Sequence, residues 1–252
     1  MYEGIGKKCC PSCGHILSDS GFCLDKECTM DKLADPLDRL DIREKLSDGD
    51  TEALTDITKF CYILQMRRPG FRAVEVGSWK GWSTQVIARL IKKGGGGDLY
   101  AVDNWKGSEG DWNWQVAKEH DIFSIFRHNM TELGLQDIVH PMMMDSMKAA
   151  EIFEYDSADM IFIDANHRYK RVSDDIYYWL KKLRPGGVIC GHDCEGYYLD
   201  YPVETRKIID DNPNTDVIKG IGHPGVIKAV HDKLYGNYKI MPNSRIWYHI
   251  KA

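Results

Sequence analysis

Val74-Glu75-Val76-Gly77-Ser78-Trp79-Lys80-Gly81 completes a short apolar run that begins at Arg72 and leads into a stretch of helical periodicity, Ser83 to Lys93. A strand that enters a glycine-bearing loop and then a helix is the opening unit of a parallel α/β sheet, and ligands bind at the carboxyl ends of such strands. Glycine at 77 and 81 lets the backbone turn sharply or come close to a ligand. A dinucleotide loop would carry a further glycine at the position of Glu75, so that a pyrophosphate could rest on the helix start. A carboxylate there repels pyrophosphate and suits a ligand with cationic groups.

Outward from this loop, strand and helix signals alternate. After the four glycines 94–97, Leu99 to Val102 reads as a strand, Asp121 to Leu133 as a helix and Ile138 to Met143 as a strand. Ser146 to Phe153 then reads as a helix, Asp159 to Ile163 as an apolar strand and Arg171 to Leu183 as a helix. Pro185-Gly186-Gly187 is expected to turn the chain into a strand from Val188 to Gly191. Strands that run into helices in this way predict a doubly wound, mostly parallel sheet covered on both faces. A helix over Gly225 to Leu234 and a hairpin of Tyr238 to Met241 with Arg245 to Ile250 are expected to close the fold.

The ligand suited to an acidic residue at 75 is S-adenosylmethionine, with its ammonium and sulfonium. Gly77, Ser78 and Gly81 belong to the loop that would cradle it. Asp103, at the end of the second strand, can accept both ribose hydroxyls, the job of the acidic residue in dinucleotide folds, and Asn104 follows it. Asp145 and Ser146, after the third strand, are placed to reach the adenine, and Asp164, after the fourth, closes the expected cofactor site. The bland alternative is a ligand-free strand-to-helix turn with Asp103 solvated.

Ile163-Asp164-Ala165-Asn166-His167 and Gly191-His192-Asp193 place carboxylates at two adjacent strand ends. Asp164 and Asp193 together suit Mg²⁺ or another divalent cation, which needs only one or two protein carboxylates. Such an ion can hold an acceptor hydroxyl and lower its pKa for an in-line methyl transfer. His167 is the candidate general base beside Asp164, and His192 is either a metal ligand or a second base. Alternatively both aspartates cap the helices that follow, and His167 packs on the surface.

The 252 residues carry a formal charge of −5, with 28% charged and 43% hydrophobic residues, the composition of a globular protein with one main core. The negative charge disfavours nucleic acid and anionic membrane surfaces as partners. No apolar run approaches the roughly 20 residues of a membrane helix and no secretory leader is evident, so a cytoplasmic protein is expected. Cys10, Cys13, Cys23 and Cys28 sit in a polar amino-terminal segment, with Cys9 as a rival to Cys10. A dense cysteine cluster in a reducing compartment points to a closed, structural zinc site that props the amino terminus or presents a surface to a protein partner. The expected organisation is thus a zinc-ribbon-like knuckle over 1–35, a helical extension over 36–69 and an α/β domain over 70–252. Cys61 and Cys190 are expected to pack as small apolar residues and Cys194 to face the pocket. Trp105, Trp112 and Trp114 either form a substrate loop or bury themselves against the sheet.

Val74 to Gly81, Ala101 to Trp105, Ile161 to Tyr169, Leu183 to Asp193 and Pro224 to Leu234 resemble class I S-adenosylmethionine-dependent methyltransferases. More narrowly, the pair FIDANHRY (162–169) and LRPGGVICGHD (183–193) resembles the branch of macrocin-type sugar O-methyltransferases and cephalosporin hydroxylase-like proteins. The resemblance covers about residues 70–250 and implies a seven-stranded Rossmann-like sheet with its last strand antiparallel. It implies O-methylation of a small hydroxylated acceptor such as a sugar, with a divalent cation at residues matching Asp164, His192 and Asp193, and it is compatible with a homodimer. His192 stands where some members carry a carboxylate, which shifts the metal preference away from Mg²⁺ toward softer ions. The competing functions are a fold relative with another reaction, hydroxylase-like or methylating nitrogen, and a non-catalytic nucleoside-binding module that uses the knuckle for partner contacts.

Overall fold

The computed structural model describes residues 69–252, together with Asp56 and Ile57 of the preceding segment. The cysteine knuckle, Cys61 and all but these few residues of the expected helical extension lie outside the described residues.

Seven strands form one sheet in the order β3-β2-β1-β4-β5-β7-β6. In chain order they are β1 (Phe71–Val76), β2 (Gly97–Asp103), β3 (Val139–Met143), β4 (Ala158–Ile163), β5 (Leu183–Gly191), β6 (Lys239–Ile240) and β7 (Trp247–Ile250). The first five strands pair in parallel, and β7 runs antiparallel between β5 and β6. The helices are α1 (Trp82–Lys93), α2 (Trp112–Glu119), α3 (Ile122–Glu132), α4 (Ser146–Ile152), α5 (Tyr169–Leu180), α6 (Val203–Asp211) and α7 (Pro224–Lys233). This is the doubly wound Rossmann-like sheet that the alternating pattern predicts.

Each face of the sheet carries its own apolar layer, because β4 is buried along its whole length and needs cover on both sides. Ile87, Ala88 and Ile91 of α1 and Ile122, Phe126 and Met130 of α3 pack on one face, where Ile57 and Ile246 also lie. Ala149 and Ala150 of α4, Val172, Ile176 and Trp179 of α5, and Val226, Ile227 and Val230 of α7 cover the other. No helix among the described residues is long and apolar enough to cross a membrane.

Local chemistry sets the element ends. Asp121 caps α3 by accepting from Ser124 N at 3.0 Å, and Asp145 caps α4 by accepting from Met147 N at 3.0 Å. Two boundaries and two helices differ from expectation. Helix α5 stops at Leu180 and Leu183 is already a strand residue, paired with Ala158. The expected turn at Pro185-Gly186-Gly187 is instead a bulge inside β5: between Leu183 opposite Ala158 and Val188 opposite Met160 the strand carries extra residues. Gly186 N and Gly187 O are satisfied by Lys251, so the bulge stays within the sheet's hydrogen bonding. Helices α2 and α6 gave no sequence signal, since α2 buries none of its residues and α6 buries only Ile209.

Candidate functional site

The carboxyl ends of β1, β2 and β4 open onto a cavity of about 510 Å³. Gly77 forms part of its wall in a left-handed conformation, φ +95°. Its amide donates to Val102 O at 2.9 Å, and Asp164 N in turn donates to Val76 O at 2.8 Å, which wedges the loop between its two neighbouring strands. Asp103 lines the same cavity. Its Oδ2 accepts from Trp79 N at 2.8 Å and its Oδ1 from Trp105 N at 2.7 Å, so the carboxylate holds together the loops after β1 and β2. Burial raises its pKa while these amides oppose the rise.

Of the other residues expected to meet a cofactor, Asn104, Asp145, Ser146 and Asp164 also line the cavity. Glu75, Ser78 and Gly81 do not. Glu75 is fully buried beneath the loop, accepting from Ser83 Oγ at 2.5 Å and from Thr84 Oγ1 in the first turn of α1. Burial raises its pKa to about 7. The carboxylate therefore anchors the loop to the helix rather than touching a ligand, because two short hydroxyl partners within ten residues capture it first. Ser78 is buried as well. Gly81 packs on α3, where a Cβ would meet Met130 Cε at 2.5 Å. Ser146 faces the cavity, but its Oγ accepts from Trp179 Nε1 at 2.7 Å.

The cavity also takes residues that no local pattern singled out. Arg168 binds the Asp111 carboxylate at 3.0 Å and 3.3 Å and Glu109 O at 3.1 Å, which ties the loop before α2 to the end of β4 and closes the rim. Asp174 and Asp175 enter from α5. Asp175 is 6% exposed, and burial raises its pKa to about 7 against a hydrogen bond from Ser146 that lowers it. A carboxyl that binds its proton more tightly when folded adds stability below its ordinary value near 3.8 and loses it as pH rises through about 7. Asp175→Asn is accordingly expected to stabilise the protein by about 2 kcal/mol at pH 8 and by almost nothing at pH 4. Urea denaturation at both pH values checks this, and an unchanged difference between them would refute it.

Of the three tryptophans, Trp105 is buried in the core with its Nε1 donating to Trp79 O at 2.7 Å. Trp112 is exposed on α2 with its ring edge toward Trp79, and Trp114 lies under Lys118 Nζ at 3.2 Å. Cys190 is buried as expected. Cys194 does not reach the cavity, since it is buried with its Sγ 3.6 Å from Gly196 O.

At the far wall Asp164 leads to a second cluster. Adjacent residues of a strand point to opposite faces, yet His192 and Asp193 point the same way because β5 ends at Gly191 and Asp193 takes a left-handed turn, φ +61°. Asp193 Oδ1 lies 3.0 Å from His192 Nδ1 and 3.2 Å from Arg245 Nη1. Burial opposes ionisation of Asp193, but His167 and His192 outweigh it, and its pKa falls well below the usual range. Burial and the neighbouring Asp193 raise Asp164 to about 6, against the pull of His192. Asp164, His192 and Asp193 each offer a ligand atom within 4.8 Å of the others.

His167 is not the free base that the sequence suggested. Its Nε2 lies 3.1 Å from Asp193 Oδ2 and its Nδ1 2.6 Å from Asp216 Oδ1, so both ring nitrogens are engaged by carboxylates. Burial works against the charged ring, but these partners prevail and raise its pKa to about 10. Asp216, His223, Glu195 and Arg245 were missed. They come from loops and element ends, and only His223, just before Pro224 at the first position of α7, stands beside a recognisable signal.

The strand order 3-2-1-4-5-7-6 with an antiparallel seventh strand, and a cavity at the ends of β1, β2 and β4, define the class I S-adenosylmethionine-dependent methyltransferase fold. Residues 74–194, just under half of the chain, match the family model described as a methyltransferase domain. The uncharacterized protein y4gI of Sinorhizobium fredii is 26% identical over 135 residues, which cover 53% of this chain. The match spans only 14% of that longer protein. Among solved structures, the O-methyltransferase from Bacillus cereus in complex with SAH has a TM-score of 0.53 and 20% identity, covering 88% of this chain and 97% of its own. A putative caffeoyl-CoA O-methyltransferase from Staphylococcus aureus has a TM-score of 0.53 and 13% identity, covering 84% and 91%.

Proposed function

We propose that this chain transfers the methyl group of S-adenosylmethionine to a hydroxyl oxygen of a small acceptor such as a sugar, assisted by a divalent cation held by Asp164, His192 and Asp193. The observation that carries the reading is the double position of Asp164, which lines the cofactor cavity and belongs to the buried histidine–carboxylate cluster. An acceptor bound at that cluster would therefore meet the cofactor across one residue. Gly77 gives the cofactor close backbone approach, and Asp103 offers its remaining lone pairs to the ribose hydroxyls.

The residues fit a cation. His192 Nε2 is buried, 4.0 Å from Asp56 Oδ2, and has no hydrogen-bond partner among the described residues, while Asp164, His192 and Asp193 each offer a ligand atom within 4.8 Å of the others. One imidazole with two carboxylates suits Mn²⁺, Zn²⁺ or Co²⁺ as well as Mg²⁺. When bound, such an ion lowers the pKa of an acceptor hydroxyl. The transfer breaks the methyl–sulfur bond as the oxygen–methyl bond forms, the hydroxyl proton leaves, and the sulfonium becomes a neutral sulfide. His167 serves here as a positioning residue, since its Nε2 holds Asp193 Oδ2 in place. The solved O-methyltransferases that share the fold support oxygen as the methylated atom.

The test is S-adenosylhomocysteine formation by the full chain against a panel of sugars, other hydroxylated compounds and amines. Turnover is expected on a hydroxylated acceptor, falling at least about ten-fold after EDTA treatment and returning with Mn²⁺ or Mg²⁺. Turnover only on amines, or none despite cofactor binding, overturns the reaction. Turnover indifferent to EDTA overturns the cation.

A further inference from the structure

Two further histidines meet at Asp193, His167 with its Nε2 3.1 Å from Oδ2 and His223 with its Nδ1 3.7 Å from Oδ1. The rings of His167 and His223 lie edge to face with centroids 4.5 Å apart. The chain brings them together through glycines: at Gly225 a Cβ would come within 2.2 Å of His167 O, so only glycine lets the start of α7 dock here. At Gly222 a Cβ would meet the Glu195 carboxyl at 2.1 Å, and the space left free admits that carboxylate. Glu195 Oε1 then lies 2.6 Å from His223 Nδ1, as Asp216 Oδ1 lies 2.6 Å from His167 Nδ1. A carboxylate on one imidazole nitrogen is how metal-ligating histidines are oriented and made more basic.

Asp193 joins this pair to the neighbouring cluster. Its Oδ1 is 3.0 Å from His192 Nδ1 and its Oδ2 3.1 Å from His167 Nε2, so one carboxylate serves both sides. His167, Asp193 and His223 each offer a ligand atom within 4.8 Å of the others. Four carboxylates, Asp164, Asp193, Glu195 and Asp216, converge on this region, and the permanent cation placed against them is Arg245, 3.2 Å from Asp193 Oδ1. The imidazoles among these carboxylates would give up their protons to a metal ion, so that the ion takes the place of the proton as counter-charge.

We propose that His167, His223 and Asp193 form a second divalent-cation site, in which the ion displaces the proton shared by His167 Nε2 and Asp193 Oδ2, and that Asp193 bridges it to the ion held by Asp164 and His192. Two imidazoles and a carboxylate favour Mn²⁺, Fe²⁺, Co²⁺ or Zn²⁺ over Mg²⁺. Bridged ions in two-metal sites lie about 4 Å apart, a span that fits two neighbouring oxygens of one acceptor. Only the bridging rests on the cation reading given under the proposed function; the His167–His223 site stands on its own residues.

The test is equilibrium dialysis of chelator-stripped full-length protein against Mn²⁺, a hard ion that cysteine thiolates bind poorly. Wild type is expected to take up two ions per chain, with the electron paramagnetic resonance spectrum of an exchange-coupled pair. His223→Ala and His192→Ala are each expected to retain one ion, with the spectrum of an isolated Mn²⁺. Glu195→Gln, which keeps all ligands, is expected to weaken the second ion about ten-fold, so the site remains testable if His223→Ala fails to fold. Two ions retained in His223→Ala, or unchanged affinity in Glu195→Gln, would overturn the second site. So would a single wild-type ion that only His192→Ala removes. A single ion that only His223→Ala removes would uphold the site and instead refute the cation of the proposed function.

Discussion

Gly77→Ala is expected to cost about 4 kcal/mol or more of stability and to abolish binding of S-adenosylhomocysteine. The residue sits at φ +95°, where any side chain strains the backbone. More decisively, its Cβ would fall 2.2 Å from Asp164 O and 2.6 Å from Ala165 Cα. These are backbone atoms of the neighbouring strand end, so no rotamer change relieves the clash. The loop would have to leave Val102, to which Gly77 N donates, and with it would move the Trp79 amide that Asp103 Oδ2 accepts from. Loss of the loop's position and loss of the Asp103 carboxylate's orientation thus come together. Urea denaturation and titration calorimetry check both halves; a variant that melts like wild type and binds S-adenosylhomocysteine would contradict the wedging of the loop between β2 and β4.

Asp193→Ala is expected to lower stability by about 3–5 kcal/mol and any metal-dependent turnover by at least about 100-fold. One buried carboxylate here faces His167, His192 and Arg245, and its removal leaves the Arg245 charge without that partner beside a half-buried Asp164. The left-handed backbone at Asp193 adds to the cost, because alanine is poorer there than aspartate or asparagine. Asp193→Asn separates the two effects. It tolerates the same backbone and can still accept from Arg245, so it is expected to recover most of the stability while leaving Mn²⁺ uptake and turnover defective. Denaturation, dialysis and product formation measured on both variants decide the matter. Equal ion binding by wild type and the asparagine variant would remove Asp193 from the ligand set.

Particular elements explain how far the sequence could be read. Helix α3 was legible almost to the residue, expected over 121–133 and found at Ile122–Glu132, because Asp121 announces its start and Ile122, Phe126 and Met130 repeat at helical spacing. Helix α2 was not, since Trp112–Glu119 buries nothing and so carries no apolar stripe. Pro185-Gly186-Gly187 looked like a turn, and turn chemistry it is, but backbone partners at Lys251 keep it inside β5. No local signal records a partner more than sixty residues away. In the site, Gly77, Asp103, Asn104, Asp145, Ser146 and Asp164 reached the cavity because each follows a strand end, and strand ends can be located from the apolar runs before them. Glu75, one residue before the end of β1, lies beneath the loop instead, because its burial depends on Ser83 and Thr84 turning their hydroxyls back from α1.

The sequence alone thus determined the doubly wound sheet, the glycine loop and the carboxylates at its strand ends, all of which follow from short-range periodicity and from what glycine and aspartate do to the backbone nearby. Only the tertiary structure decided which side chains face one another. His167 became a ring held between Asp193 and Asp216 rather than a free base, and His223 and Glu195 joined it because the α7 start docks where Gly225 has no Cβ. Such meetings depend on packing between elements distant in the chain, and the free energy that holds them is set by burial and by opposing charge, neither of which is written in any one segment.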